Sequence, residues 1–223
     1  ITAAMAFGMM SGVAFGYWAP ELYARQFSLD PVLVKSIFAV NFGLSGLAGM
    51  FVFGLLADRL AKRGMGWPVR LAGLAMGSAT LFTLLATWAP QFAYVGLLAI
   101  PSGLLGGGWS VGLHATVQYV LPTQFRASGT ALYIAVSTLL GQIAGPFTVG
   151  LLSDWLGADA AALRLAMTLV MPLGFLGALC AWLAGRHVIA DHNRLEAGAR
   201  ATPPRSGRGR AAVDHQGMPG DEA

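Results

Sequence analysis

The sequence predicts an all-α membrane protein with six transmembrane helices, arranged as two groups of three that form an inverted repeat. Of its 223 residues, 56% are hydrophobic and only 11% are charged, whereas soluble domains carry about 25% charged residues. The hydrophobic residues fall into six stretches, each near the ~20 residues that cross a bilayer as a helix. A short motif that recurs three stretches later predicts the repeat.

Turn-forming residues separate the six predicted spans, and tryptophans lie near several of their ends. Proline and glycine clusters are typical of loops, and indole rings favour the interface between lipid and water. Together the spans make one predicted bundle over residues 1–185. The spans cover approximately residues 2–19, 33–57, 69–88, 92–120, 127–152 and 163–184.

The first two spans combine glycine with a few polar side chains. Gly8, Gly12 and Gly16 recur every four residues on span 1, and such a face predicts close contact with a neighbouring helix, or sliding against it. Span 2 carries Asn41 and Ser45, which lie four residues apart. Polar side chains are costly in lipid, so we expect them to face protein or water.

The third to sixth spans differ in polarity. Spans 3 and 6 contain no Asn, Gln, His or internal charge, so we expect them to lie outside, against lipid. Ser110, His114 and Gln118 form one polar stripe along span 4, because they are spaced by four residues. Span 5 carries Thr138 and Gln142 in the same spacing, and its Gly145-Pro146 pair predicts a bend.

Spans 1, 2, 4 and 5 are therefore expected to line a substrate path. An alternative is that the polar groups only form interhelical hydrogen bonds that fix packing. His114 could bind an anionic solute, carry a proton, or remain neutral and share its proton with a backbone carbonyl. The candidate residues of the path are Tyr17, Trp18, Asn41, Trp109, Ser110, His114, Gln118, Thr138 and Gln142.

The motif Gly-Leu-Leu-Ala-Asp-Arg-Leu begins at Gly54, and Gly-Leu-Leu-Ser-Asp-Trp-Leu begins at Gly150. Three spans separate the two copies, so Asp58 and Asp154 are predicted on opposite sides of the membrane, as in secondary transporters. Eleven of the 14 Lys and Arg fall in the loops after spans 2 and 4 and in the tail. The positive-inside rule places these segments and both termini in the cytoplasm, and we expect a bacterial cytoplasmic membrane.

Residues 186–223 are predicted to form a disordered basic cytoplasmic tail, because arginine, glycine and proline replace the large apolar residues there. A helical continuation over the first part of this segment, up to Arg200, is also compatible with the sequence. The chain begins with Ile1 and has no basic leader. We therefore expect that it begins partway through a longer protein.

Gly108-Trp109-Ser110-Val111-Gly112 matches the G-x-S-x-G pattern of serine hydrolases. That pattern needs a strand-turn-helix context, whereas here it lies inside a predicted membrane helix. An intramembrane serine hydrolase and a non-transporting membrane scaffold remain the alternatives to a transporter. The sequence predicts no enzyme activity, no cofactor or metal site and no nucleic-acid binding.

The segment Gly54-Leu-Leu-Ala-Asp58-Arg59-Leu-Ala-Lys62-Arg63 resembles the loop signature of the major facilitator superfamily. Pro122-Thr-Gln-Phe-Arg126 resembles another cytoplasmic loop of that family, and the segment from Gly145-Pro146 to Gly150 and Asp154 resembles the end of its eleventh helix. The order of these motifs is similar to the second half of a twelve-helix transporter. The resemblance implies half of a major facilitator fold and secondary-active transport, by symport or antiport.

Tyr17-Trp18-Ala-Pro20, Gln118 to Arg126 and Leu163-Arg164 look most like the Spinster-like branch of the superfamily. That resemblance implies a small organic or amphipathic solute, with ion or proton coupling. The expected partners are the lipid bilayer, the solute, and an N-terminal six-helix half or a second half-transporter. Asp58, Arg59 and Arg63 are expected to form an ionic latch between helices, with Arg126 as a second latch, or else to set topology by positive charge alone.

Overall fold

The computed structural model describes residues 1–64 and 66–201, and the regular elements within them are helical. The all-α prediction is confirmed. A 3-10 turn, Thr123–Phe125, precedes α5, and a π-helix, Leu139–Ile143, joins α5 to α6. The helices are α1 (Thr2–Phe27), α2 (Pro31–Ala61), α3 (Gly66–Thr87), α4 (Phe92–Val120), α5 (Arg126–Thr138), α6 (Ala144–Leu156), α7 (Ala160–Val170) and α8 (Leu173–Ala201).

The first helix continues well beyond its predicted end at residue 19. Pro20 lies inside α1, where its missing N–H leaves one backbone hydrogen bond unmade without ending the helix. Ser28 then ends the helix in the left-handed conformation, with φ of 51°. The next helix begins at once, because the Asp30 carboxylate accepts a hydrogen bond from the N–H of Val32 at 2.9 Å, and Pro31 suits the first helical position.

Among the described residues, five helical segments are long and apolar enough to cross a membrane, and α1 is not one of them. The first predicted span, α1, is therefore less apolar than the other five. Glycine, Ser11 and the Tyr17-Trp18 pair lower the hydropathy of α1. The helix is nevertheless 26 residues long, enough to cross ~30 Å of hydrocarbon. Because α1 packs against several other helices, little of its surface needs to be apolar for lipid.

The fifth predicted span is one continuous helical segment with an irregular centre. Its π-helix ends just before Gly145-Pro146. Proline has no N–H, so the carbonyl of Gln142 lacks its usual partner, and a wide π-turn is one way to accommodate that loss. Gly141 and Gly145 lie directly against Met9 and Met10 of α1, so the absence of a Cβ allows this close approach.

The sixth predicted span is two helices. α7 ends at Val170 and α8 begins at Leu173, since Pro172 interrupts the backbone hydrogen bonding. The hydroxyl of Ser11 donates to the carbonyl of Met171 at 2.8 Å, so α1 supports the break. α8 continues to Ala201, and the disordered tail predicted from residue 186 therefore does not begin there. Residues 202–223 of that tail lie outside the described residues.

α1 lies at the centre of the bundle, and α3 lies between α4 and α8. Half of the span in α3 is buried, against 17% of the span in α2. Both α2 and the α5–α6 segment present apolar faces without a neighbour among the described helices. On α2 these residues include Leu44, Leu47, Phe51 and Leu55, and on α5–α6 they include Leu132, Leu139, Ile143 and Phe147.

Candidate functional site

A cavity of about 620 Å³ lies between α1, α2, α3 and α4. Its wall is mostly glycine, methionine and aromatic side chains. Among the described residues that line it, none is Asp, Glu, Lys or Arg. Spans 1, 2 and 4 contribute as predicted. The contribution of α3 was not predicted, and the predicted contribution of span 5 is absent from the described lining.

Glycines on α1 and α2 create much of this space. A Cβ placed on Gly12, Gly16 or Gly43 would meet no other atom within 4 Å. At Gly8, by contrast, it would contact the side chains of Met76 and Trp109. The close packing expected for the glycine face of α1 therefore holds at Gly8 only. Gly12 and Gly16 face the cavity instead.

Methionines supply most of the flexible surface of the cavity. Met5 and Met9 come from α1, Met50 from α2 and Met76 from α3. Methionine side chains have three rotatable bonds and a polarisable sulfur, so they adapt to ligands of different shapes. The cavity is therefore suited to an apolar group whose shape is not tightly specified.

The imidazole of His114 is the ionisable side chain at the inner wall, and one of its two nitrogens is already engaged. Its Nδ1 lies 2.8 Å from the carbonyl oxygen of Ser110. A carbonyl has no proton to give, so Nδ1 donates, and in the neutral ring Nε2 is an acceptor. The ring also meets Tyr133 edge-on, with centroids 5.6 Å apart. Ser110, Trp109 and His114 all line the cavity.

The cavity wall also contains hydroxyl groups that the sequence analysis missed. Thr80 and Thr83 of α3 donate to backbone carbonyls of their own helix at 2.9 and 2.8 Å, so their oxygens keep free lone pairs for a ligand. The Ser102 hydroxyl is fully buried and has no partner among the described atoms. Small hydroxyls give a weak signal in sequence, because they commonly bond to their own helix.

Tyr17 and Trp18 are neighbours in the chain, but they contact different parts of the molecule. Tyr17 is at the rim of the cavity and is 67% exposed. Trp18 faces away from it, where its indole N–H donates to the carbonyl of Pro146 at 2.9 Å. The Trp18 ring also covers Gly150. Trp18 is therefore a contact between α1 and α6, and its predicted place on the path through this cavity is not observed.

The other four polar candidates lie away from the cavity. Asn41 faces Gly96 across the contact between α2 and α4. Gln118 is exposed beyond the end of the cavity, so the predicted stripe on α4 reaches the cavity only with Ser110 and His114. Thr138 is half-buried and Gln142 is exposed, both across α1 from the cavity. Spacing alone does not tell which neighbour a polar face meets.

The G-x-S-x-G pattern lies wholly within α4, so the strand-turn-helix context of a hydrolase is absent there. His114 bonds to the backbone carbonyl of Ser110 and comes from the same helix. This arrangement does not orient an imidazole to take a proton from the serine hydroxyl.

Charged residues lie at the ends of the helices. Asp58, Arg59 and Arg63 at the end of α2, and Arg126 at the start of α5, are all exposed. Among the described side chains the one ion pair within 4.0 Å joins Arg25 to Glu21 on α1. The predicted latch is therefore not closed within the described part of the chain.

The two copies of the repeated motif both end a helix. The first copy ends α2, and the second ends α6. Asp58 and Asp154 are exposed at these ends. Three helical segments that are each long and apolar enough to span a membrane begin after Asp58 and end at the second motif. That count agrees with opposite placement of the two acids.

Comparisons with known proteins bear on the class. Residues 1–214 match the family model described as Major Facilitator Superfamily. The chain is 28% identical over 201 residues to an "MFS-type efflux pump" of Mycolicibacterium smegmatis (strain ATCC 700084 / mc(2)155), covering 86% of this chain and 45% of that protein.

Solved structures show the same fold. A bacterial homologue of the human lysosomal transporter Spinster, inward-facing and unoccupied, superposes with a TM-score of 0.74 at 14% identity, over 85% of this chain and 48% of the other. The occupied inward-facing structure gives 0.72 at 13% identity, over 85% and 49%. The chain spans about half the length of each of these relatives.

The fold and the cavity thus define an integral membrane protein built as half of a transporter fold. The chain belongs to the major facilitator superfamily. Both predictions made from the loop motifs, the family and the half-fold, are confirmed.

Proposed function

We propose that this chain supplies the C-terminal half of a secondary-active transporter for a small organic or amphipathic solute. The cavity between α1 and α4 is its share of the solute path. The observation that carries the proposal is the cavity itself, because about 620 Å³ lies within the usual 300–1,000 Å³ of ligand sites. The full transporter needs further helices against the exposed faces of α2 and α5–α6, from an N-terminal half or a second half-transporter.

The chemistry of the wall favours an amphipathic solute. Methionine, Trp109 and open glycine backbone offer an apolar surface, while Ser110, Thr80 and Thr83 offer hydrogen bonds. The described lining holds no permanent charge, so desolvation of a highly charged solute would not be offset there. The Spinster-like motifs imply the same class of solute, and the efflux-pump relative supports membrane transport as the activity. His114 is the candidate for proton coupling, since Nε2 changes from acceptor to donor when the ring is protonated.

The test is a size series at the two open glycines in the full-length protein. Gly12→Leu and Gly16→Leu place a branched side chain in the cavity, and a Cβ at either position meets no atom within 4 Å. We expect both variants to lose the thermal stabilisation that a panel of lysolipids and amphipathic anions gives the wild type, and to lose flux of the stabilising solute from proteoliposomes by more than about tenfold.

Gly12→Ala and Gly16→Ala are the matched controls. A methyl group leaves most of the volume free, so we expect both to bind and transport within about twofold of the wild type. Wild-type binding and flux in both leucine variants, with unchanged solute selectivity, would contradict the assignment of this cavity to the solute path.

A further inference from the structure

One arginine at the basic end of the bundle lies between two indole rings. The Cζ atom of Arg70 is 5.3 Å from the ring centroid of Trp67 and 5.9 Å from that of Trp182. Trp67 belongs to α3 and Trp182 to α8, so the guanidinium bridges the two helices. These distances are those of cation–π contacts.

Arg70 is held in this position by its stem. Its Cγ atom lies 2.7 Å from the position that a Cβ on Gly185 would take, so the arginine crosses α8 where α8 has no side chain. Its Nε is buried and has no hydrogen-bond partner among the described atoms. No described carboxylate lies within 4.0 Å of the guanidinium. A buried donor without a partner is costly, and Arg70 as a whole remains partly exposed.

The charges around Arg70 favour an anion. Lys62 and Arg63 follow α2 and are exposed, and Arg186 is exposed on α8 directly after Gly185. Asp58 is the nearest acid along the chain to the first two. A stacked guanidinium presents its N–H groups at the edge, in the fork geometry that binds phosphate through two hydrogen bonds.

The surface beside Arg70 is apolar, which identifies the kind of anion. Leu74 and Leu81 follow Arg70 on the same face of α3 and are 58% and 50% exposed. Leu179 and Phe175 precede Trp182 on its face of α8 and are 53% and 39% exposed. An acyl chain attached to the bound phosphate would lie along these side chains.

We propose that Arg70, Trp67 and Trp182 form a binding site for the headgroup phosphate of an anionic phospholipid, with Arg63, Lys62 and Arg186 around it. The acyl chains lie along the apolar faces of α3 and α8. Trp67, Arg70 and Trp182 are not among the residues that line the cavity, so the site is separate from the cavity and does not depend on transport.

A similar arginine at the other end of α3 provides the control. The Cζ of Arg164 is 5.3 Å from the Trp88 ring centroid, and its Nε is also buried without a partner among the described atoms. Its end of the bundle carries acids, however, in Glu21, Asp154 and Asp159, and an exposed Glu21–Arg25 ion pair. The net potential there does not favour an anion, so Arg164 isolates the effect of the surrounding charge.

The experiment measures lipid binding to the full-length protein by native mass spectrometry and thermal stability, with phosphatidylglycerol and phosphatidylcholine as probes. We expect phosphatidylglycerol to bind and stabilise the wild type in preference to phosphatidylcholine. Arg70→Gln should weaken phosphatidylglycerol binding about tenfold, the effect of losing a charge-assisted contact. Arg164→Gln should leave it unchanged. Arg186→Gln, at an exposed position where folding is not at risk, should weaken it about fivefold, the effect of one basic charge near a lipid surface.

Wild-type phosphatidylglycerol binding in both Arg70→Gln and Arg186→Gln would overturn the proposal, as would an equal loss in Arg164→Gln. A parallel measurement with inorganic phosphate distinguishes a lipid headgroup from free phosphate as the bound anion. If phosphate alone stabilises the wild type as much as phosphatidylglycerol does, the site binds free anions and the lipid assignment is wrong.

Discussion

Glycine has two opposite uses among the residues of this bundle. Gly103 and Gly107 of α4 lie against the backbone of α2, where a Cβ would clash. A Cβ on Gly12 or Gly16 of α1 would meet no atom within 4 Å, so these glycines leave the cavity open. The same spacing in the sequence therefore marks both a tight contact and an empty space. Only the position of the neighbouring helix separates the two, and the sequence does not contain that information locally.

At Asp58 we expect a substitution to reduce transport without lowering the stability of the protein. Its carboxylate is exposed and makes no ion pair within 4.0 Å among the described side chains, so Asp58→Asn should leave expression and thermal stability intact. If the carboxylate latches a partner helix in one state of the cycle, flux through the full-length protein should fall about tenfold. Flux into proteoliposomes and the melting temperature measure the two effects.

Asp154→Asn is the control for Asp58→Asn, because Asp154 holds the same place in the second copy of the motif but no basic run follows it. Its flux should stay within about twofold of the wild type. Normal flux in Asp58→Asn would contradict the ionic latch. The remaining role of this segment would then be to set topology by its positive charge alone.

Polar residues in the predicted spans were the best indication of which side chains line the cavity. They also account for most of the predicted path residues that lie away from it. Ser110, His114 and Trp109, three of the predicted path residues, line the cavity, and their place on a solute path stays a prediction. Gln142 and Gln118 are polar residues in predicted spans and lie elsewhere. The cost of polar groups in lipid requires some polar neighbour, and it does not specify whether that neighbour is a cavity, a helix or water at a membrane surface.

Two helices of this bundle approach each other closely where both carry glycine at the contact. Gly46 and Gly49 of α2 lie against the backbone of Gly103 and Leu104 of α4. Contacts of this kind stabilise membrane helices through packing, since lipid offers no hydrophobic drive between them. Among the contacts between helices, the strength of the α2–α4 contact therefore depends most directly on glycine.

Gly103→Ala should weaken the α2–α4 contact. The added Cβ would overlap the side-chain oxygen of Ser45 and approach the carbonyl oxygen of Phe42 to 2.6 Å, so the helices must separate. Overpacking of this kind costs about 1–3 kcal/mol. The expected result is a melting temperature several degrees below the wild type, measured on the purified protein.

Gly106→Ala is the matched control on the same helix. Its Cβ would meet only the Phe42 ring, at 3.9 Å, which is ordinary contact, and alanine favours a helix more than glycine does. We expect no loss of stability. If the two alanine variants melt together, the close approach of α2 and α4 does not contribute to stability.

The sequence predicted the existence of each helix well and their irregularities poorly. Long apolar stretches and flanking Pro or Gly identified α2, α3 and α4 within a few residues. The break at Met171-Pro172 was missed, although Pro172 was visible, because a proline inside an apolar stretch ends one helix and is tolerated in another. Pro20 and Pro101 lie within α1 and α4. The bonding partners that decide the outcome, such as Ser11 for Met171, are distant in sequence.

Three segments that are long and apolar enough to cross a membrane lie between the two motif copies. With this odd number of crossings, we expect the two copies to be exposed on opposite sides of the membrane. We expect Lys62→Cys, after α2, to react with an impermeant thiol reagent from the cytoplasmic side only. Ala161→Cys, at the start of α7, should react from the other side only. Both positions are exposed, and the half-buried Cys180 is replaced by alanine beforehand.

Labelling of intact cells and of inverted vesicles measures this topology. Modification of both positions from one side of the membrane would contradict the inverted arrangement and the odd number of crossings between the two motif copies. The same result would place the basic Arg70 end and the acidic Arg164 end on one side, which the positive-inside rule does not favour.

The family and the half-fold were predictable because they depend on features that repeat over the whole chain. Composition, six apolar stretches and the Asp58 and Asp154 motifs all agree. The faces of α2 and α5–α6 that lack a neighbour were not predictable in the same way. Their apolar residues are equally suited to lipid and to another helix, and a hydrophobicity pattern does not separate these two surroundings.

The open glycines Gly12 and Gly16 lower the intrinsic stability of α1 beside the cavity. Each glycine costs a helix about 1 kcal/mol relative to alanine, and at Gly12 and Gly16 no contact from a neighbour offsets that cost. The helix at the centre of the bundle thus has weakly supported turns beside the cavity, and a solute filling the space would supply the missing support. Loading would then stiffen the one helix that contacts most of the others, so occupancy could reach both ends of the protein without any side chain changing partners.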